Sequence, residues 1–143
     1  MAHATRSSRP WVVSLGLAGL NDCGMAAYHF FLPTHMGWSR GLDHVPSSIV
    51  WALFALNFSW SLLVLLVGSL VLYAAKLGPG AGPFARRVVF TVGLFWLIHG
   101  AYTWINPLPM PAALAWLKIL LWAFPALMIF LHWWPLYGFR KAA

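Results

Sequence analysis

Acidic residues and cysteine are nearly absent from this chain of 143 residues. It contains two acids, Asp22 and Asp43, and one cysteine, Cys23. A single cysteine excludes an internal disulfide and a cysteine-based metal cluster. The two acids do not form a paired-carboxylate site, and the sequence has no phosphate-binding glycine loop, nucleophile elbow or zinc signature. This pattern leaves catalysis open but favours a non-enzymatic protein, and it predicts no metal site.

Charged residues of either sign are few, because 62% of the residues are hydrophobic and only 8% are charged. Soluble domains are about half apolar and about a quarter charged, so this composition excludes an ordinary soluble domain and is typical of membrane proteins. A net charge of +7 would suggest nucleic-acid binding in a soluble protein. In a membrane protein the basic residues are orientation signals at the bilayer surface, so we expect the lipid bilayer, and not nucleic acid, as partner.

Four long apolar segments account for most of the chain. A transmembrane helix needs about 20 mainly apolar residues. Four segments approach or exceed that length: residues 11–32, 48–75, 88–105 and 112–139. Breaks rich in proline or glycine separate them, at Pro33, Pro46, 78–83 and 106–111. The sequence therefore predicts a single domain of residues 1–143, an all-α, integral membrane, up-down bundle of four transmembrane helices.

The basic residues predict an orientation for this bundle. Seven of the nine fall on one side of a four-span arrangement, in the tails or the second connection: Arg6, Arg9, Lys76, Arg86, Arg87, Arg140 and Lys141. Arg40 and Lys118 fall on the other side. Short loops rich in Lys and Arg stay in the cytoplasm, so we expect both termini to be cytoplasmic.

The start of the chain has a competing interpretation. Arg6 and Arg9, followed by apolar residues 11–20, resemble the first two regions of a cleavable signal peptide. The apolar character resumes after Asp22 and runs to Leu32, which a signal peptide does not require. We therefore expect the segment to remain as the first span.

Polar residues in the predicted spans fall at similar depths. A rise of about 1.5 Å per residue places Asp22 roughly 16 Å from the inner boundary, near the midplane, with Asn57 and His99 at about the same depth. Lys118 falls roughly 9 Å below the outer surface, within side-chain reach of that layer. An ionisable group at a helix centre costs about 2.5–3.5 kcal/mol on insertion scales, so each needs a partner or a function. We predict a ligand or proton site formed by Asp22, Asn57, His99, Tyr102, Lys118, Trp60, Trp96 and Trp122.

Two interpretations of this polar cluster remain open. Polar contacts between helices supply part of the adhesion in a bilayer, so the cluster can be purely structural. Alternatively, Asp22 handles a proton or a cation, with the tryptophans as walls of the pocket. No cofactor is expected, because no two histidines lie at one depth as haem ligands would. The exception is His99, which can be a single ligand to a haem or pigment.

Small residues recur at intervals of four in the first segment, at Gly19, Cys23 and Ala27. This spacing lets helix backbones approach closely. If the small face points inward it packs within the bundle, and if it points outward it binds a partner protein or a second copy of the chain.

These features predict a small polytopic membrane protein with one of two functions. The first is that of a non-enzymatic accessory subunit or helper, which packs laterally in a larger membrane complex. The alternative is a compact proton-coupled carrier or small-ligand binder centred on Asp22. A carrier would need to oligomerise, because four helices enclose little volume.

Overall fold

Helices make up all the regular structure that is described. The structure is a computed structural model that describes residues 9–78, 82–107 and 115–141. Within these ranges there is no strand, and the five helices are α1 (Arg9–His35), α2 (Trp38–Gly41), α3 (Ser47–Leu77), α4 (Gly82–Ile105) and α5 (Ala115–Lys141). The all-α prediction is confirmed. The short helix α2 was not predicted and lies in the connection between the first two long helices.

Three of the helices are long and apolar enough to cross a membrane, namely α3, α4 and the part of α5 from Ala115 to Tyr137. The helix α1 has 27 residues, which is long enough, but it is not among these three. Its apolar sequence is interrupted by Asn21, Asp22 and His29. The first predicted span is therefore a helix of spanning length with less apolar character than the others.

Two predictions about helix ends are wrong. Pro33 was expected to end the first helix, but α1 continues through it to His35. Arg86 and Arg87 were expected in a connecting loop, but α4 starts at Gly82, and both arginines lie in its second turn. Gly82 has a φ of +65°, which glycine adopts without strain, and a proline such as Pro83 suits the first turn of a helix.

Other predicted boundaries are close to those observed or lie outside the described ranges. The segment 48–75 corresponds to α3, which is two residues longer at its end. Residues 79–81 and 108–114 lie outside the described residues. They include half of the predicted break 78–83, most of the break 106–111 and the start of the fourth segment. Arg6 also lies outside the described residues.

The chain divides into two compact units. One combines the chain up to Ala18 with the chain from Val71 onward, and the other is Gly19–Leu70. In the first unit α4 and α5 pack against each other.

Each long helix buries one narrow face. In α4 the buried positions are Ala85, Val89, Val92, Gly93, Trp96 and Gly100. In α5 they are Pro125, Met128, His132 and Pro135. In the middle of α3 they are Ser61, Val64, Gly68 and Val71. These positions repeat at intervals of three and four residues, which is the spacing of one face of an α-helix.

Candidate functional site

Asp22 is a buried acid in the middle of α1, with 1% of its surface exposed. Its surroundings are tight on the side of α3, because a Cβ added at Gly68 would lie 2.8 Å from the Asp22 Cβ and 2.9 Å from the Cys23 Sγ. Gly68 therefore allows α3 to approach α1 where the acid lies. Among the described residues, no buried side-chain nitrogen or oxygen lacks a hydrogen-bond partner. Asp22 accordingly has an interaction partner within the described residues.

The side chain of Asn57 forms a hydrogen bond with the backbone of α1. Its Nδ2 donates to the carbonyl oxygen of His29 at 2.7 Å. In an unbroken helix this oxygen would accept from the N–H of residue 33, but proline has no N–H, so Pro33 leaves the His29 carbonyl without its usual donor. The Asn57 side chain replaces that donor. This explains why α1 tolerates Pro33 and continues to His35.

A second proline is compensated in the same way in the other unit. Pro135 lies inside α5 and releases the carbonyl oxygen of Leu131, four residues earlier. The hydroxyl Oγ of Ser14, in α1, donates to that oxygen at 2.9 Å. Both Ser14 and Pro135 are buried, so an unsatisfied carbonyl here would have no water to bind.

The third proline in the interior of a described helix, Pro125, also has a donor close by. The indole Nε1 of Trp104, in α4, donates to the carbonyl oxygen of Trp122 at 3.1 Å, in the turn that precedes Pro125. A Cβ added at Gly100 would lie 2.8 Å from the Pro125 Cβ, so Gly100 provides the space in which the proline packs. At Pro33 and Pro135, a polar side chain of another helix thus donates to the carbonyl that the proline releases. At Pro125 the donor serves the Trp122 carbonyl and not that of Leu121, four residues before the proline.

Two of the predicted residues of α4, Trp96 and His99, form part of an aromatic cluster. Trp96 is 3% exposed and packs edge-on against His99, with ring centroids 5.6 Å apart, and against Phe124 at 5.3 Å. Phe95 stacks on the half-buried His99 at 6.0 Å. The structure therefore brings Trp96 and His99 together between aromatic rings.

The other predicted site residues are more exposed. Tyr102 and Trp122 are 64% and 51% exposed, and Lys118 is also exposed. Trp60 in α3 is half-buried. Tyr102, Lys118 and Trp122 thus present their side chains at the surface of their unit.

Two contacts of α5 were not predicted from the sequence, although helical spacing places His132 on an inward face. His132 is completely buried, and its Nδ1 bonds the carbonyl oxygen of Met128 at 2.7 Å. Because a carbonyl can only accept, Nδ1 is the donor. Trp133 stacks on Phe90 with ring centroids 5.9 Å apart and donates from Nε1 to the Phe90 carbonyl oxygen at 3.3 Å. A side chain at Gly93 would overlap this indole, so the contact requires glycine at position 93. In the sequence, the sign of this contact is a glycine in one helix that faces a tryptophan of the next.

Metal ligands do not cluster in the part of the chain that is described: no group of three or more His, Cys, Asp or Glu side chains is close enough to hold an ion. Comparison with protein-family models, curated proteins and solved structures gives no match. The function must therefore be inferred from the side chains and surfaces of this chain itself.

Proposed function

We propose that the chain is an integral membrane protein in which α1, α3, α4 and α5 span the bilayer as an up-down bundle with both termini in the cytoplasm. Its role is that of a non-enzymatic accessory subunit that packs laterally against a partner membrane protein or a second copy of itself. One observation carries the proposal: of the most apolar 18-residue stretch of α3, only 11% is buried within the chain.

The uncovered surface of α3 is rich in large apolar side chains. Leu56, Leu63 and Leu66 are 68%, 52% and 56% exposed, whereas Val64 and Val71 of the same helix are nearly fully buried. Monomeric soluble proteins rarely expose contiguous apolar patches larger than a few hundred Å². Lipid tails or the helices of a partner are the two environments that cover such a surface.

The first part of α5 favours a protein partner in addition to lipid. From Ala115 to Ala123 every residue except Leu117 is exposed, whereas from Pro125 onward α5 has a buried face. The exposed part carries aromatic rings with polar atoms, at Trp116 and Trp122, and one cation, Lys118. Aromatic residues of this kind are enriched in protein interfaces, where the ring packs and the polar atom finds a partner.

A photo-crosslinking amino acid at Ile119 tests this role. Ile119 is 72% exposed, and Met128, further along the same helix, is fully buried and serves as the matched control position. In native membranes we expect a stoichiometric protein adduct of one defined mass from position 119 and only intramolecular products from position 128. Lipid adducts alone from position 119, together with a single free species after gentle detergent extraction, would contradict the subunit role.

The second candidate function is a proton-coupled carrier or small-ligand binder centred on Asp22. It is favoured by one observation, the nearly complete burial of this carboxyl in the middle of a helix, since ionisable groups within a membrane usually have a function. The amide of Asn57, a predicted partner of Asp22, already donates to the His29 carbonyl. This engagement favours adhesion between helices over ligand binding, and we rank the carrier second.

Asp22→Asn and the matched variant Asp43→Asn separate the two functions, because Asp43 is exposed and lies between α2 and α3. The measurement is the decay of a pH gradient across proteoliposomes that contain the purified protein. For an accessory subunit we expect the parent and both variants to leave the gradient unchanged. Decay with the parent and Asp43→Asn, but not with Asp22→Asn, would overturn this ranking in favour of the carrier.

A further inference from the structure

A basic groove lies between the start of α4 and the end of α5. It is lined by Pro83, Arg86, Arg87, Phe90 and Leu136, and its volume is about 380 Å³. At roughly 30 Å³ per water molecule, this is room for about a dozen waters, and so for a phosphate ester with its nearest carbons. The groove belongs to one unit of the chain and is formed by its two helices that pack together.

The two arginines of the groove have no acidic side chain in their unit to neutralise them. The only acids of the chain, Asp22 and Asp43, both belong to Gly19–Leu70. Both Arg86 and Arg87 are exposed. Two guanidinium groups at one groove match the oxygens of a phosphate, which accepts paired hydrogen bonds from the planar fork of arginine. The site therefore carries positive charge that no acidic side chain of its unit offsets, which suits an anionic ligand.

The apolar wall of the groove is held in a fixed position. Phe90 follows Arg86 by four residues and Arg87 by three, so its ring lies on the same side of α4. Trp133 of α5 stacks on Phe90 with the two ring planes 10° apart and donates to the Phe90 carbonyl oxygen. Phe90 is still 50% exposed, which leaves its outer edge open to a ligand.

We infer that this groove binds the phosphate of an anionic phospholipid, with the arginines on the headgroup and with Phe90 and Leu136 beside the glycerol and the first acyl carbons. A soluble anion would use the arginines but not the apolar wall. Basic pockets between transmembrane helices on the cytoplasmic side bind anionic lipid headgroups, and the arginines lie on the side that the basic residues predict to be cytoplasmic. The inference rests on the membrane insertion in the proposed function but not on the accessory or carrier role.

Lipid retention in native mass spectrometry tests the site. The full chain is reconstituted in phosphatidylcholine vesicles and in vesicles of equal phosphatidylcholine and phosphatidylglycerol, and its bound lipids are counted after release. The variants are Arg86→Gln with Arg87→Gln, and the matched control is Lys76→Gln, because Lys76 is an exposed cation on the same predicted side that does not line the groove. A third arm adds inorganic phosphate in excess to the mixed vesicles.

We expect the parent and Lys76→Gln to retain phosphatidylglycerol in preference to phosphatidylcholine. The double variant should lose about 30-fold of that preference, from about fivefold per basic residue near an anionic surface. Equal retention by the double variant and the parent would overturn the inference. Displacement of the lipid by inorganic phosphate would also overturn it, since the site would then be one for a soluble anion. If the protein does not float with either kind of vesicle in a density gradient, the membrane assignment itself fails. If it floats but shows no lipid preference, only the lipid site is contradicted.

Discussion

Restoring the backbone N–H at position 33 should make the side chain of Asn57 dispensable. In Pro33→Ala the alanine N–H can donate to the His29 carbonyl, which in the parent accepts from the Asn57 Nδ2 at 2.7 Å. Asn57→Ala should therefore destabilise the parent because it leaves that carbonyl without a donor. The same substitution in the Pro33→Ala background should cost less.

The size of this difference follows from the geometry of the bond. Hydrogen bonds between transmembrane helices contribute about 0.6 kcal/mol on average and up to about 1.7 kcal/mol in double-mutant cycles. The bond from Asn57 is short and part-buried, and the carbonyl that it serves has lost its usual donor to Pro33. We therefore expect a coupling free energy near the upper end of that range, about 1.5 kcal/mol.

The free energy of unfolding is measured by titration with sodium dodecyl sulfate in mixed micelles, followed by far-ultraviolet circular dichroism. The parent, the two single variants and the double variant complete one cycle. Ser69→Ala is the matched control, because Ser69 is an exposed polar residue of the same helix whose Oγ donates within α3, to the Leu65 carbonyl. Its cost should be the same with proline or alanine at position 33.

The reasoning is refuted if Asn57→Ala costs the same in both backgrounds, within the roughly 0.3–0.5 kcal/mol over which independent sites are additive. Asn57 would then contribute through something other than the carbonyl released by Pro33. The same explanation of the hydrogen bond from Ser14 near Pro135 would lose its support as well.

Two further predictions use the same titration. Ser14→Ala should lower the free energy of unfolding by about 1 kcal/mol, because the Ser14 Oγ donates to the Leu131 carbonyl. The same substitution should cost less in the Pro135→Ala background. Equal costs in both backgrounds would show that Ser14 does not compensate for Pro135. Gly93→Ala should lower the free energy of unfolding by about 1–3 kcal/mol, because the new methyl would overlap the Trp133 indole. The control is Gly16→Ala, which has nothing within 4 Å of its added Cβ and should not lower it. Similar values for the two glycine variants would show that Trp133 does not depend on the space at Gly93.

The long helices were predictable from the sequence to within a few residues at most of their described ends. Apolar length and the breaks at proline and glycine are local properties, so the segment 48–75 nearly coincides with Ser47–Leu77. The failure at Pro33 has a non-local cause. The donor that lets α1 continue, Asn57, is 28 residues from the His29 carbonyl along the chain, and local sequence rules cannot include it.

The candidate site was harder to predict for a related reason. Periodicity assigns Lys118, Pro125 and His132 to one face of α5, but Pro125 and His132 are buried while Lys118 is exposed. Helical spacing identifies which face is apolar, not how far along the helix a neighbour covers it. Asp22 is 1% exposed and lies on a face of α1 that it shares with other buried residues, whereas its depth in a bilayer stays a prediction.

The number of membrane crossings is the most direct test of the account, and it depends on α1. In a Cys23→Ser background, single cysteines are introduced as Ser7→Cys, Asp43→Cys and Lys76→Cys, and intact cells or sealed vesicles are labelled with a membrane-impermeant maleimide. Four spans predict that positions 7 and 76 react from the cytoplasmic side and position 43 from the opposite side. Labelling of positions 7 and 43 from the same side would mean that α1 does not cross the bilayer, and it would contradict the four-helix membrane protein proposed here.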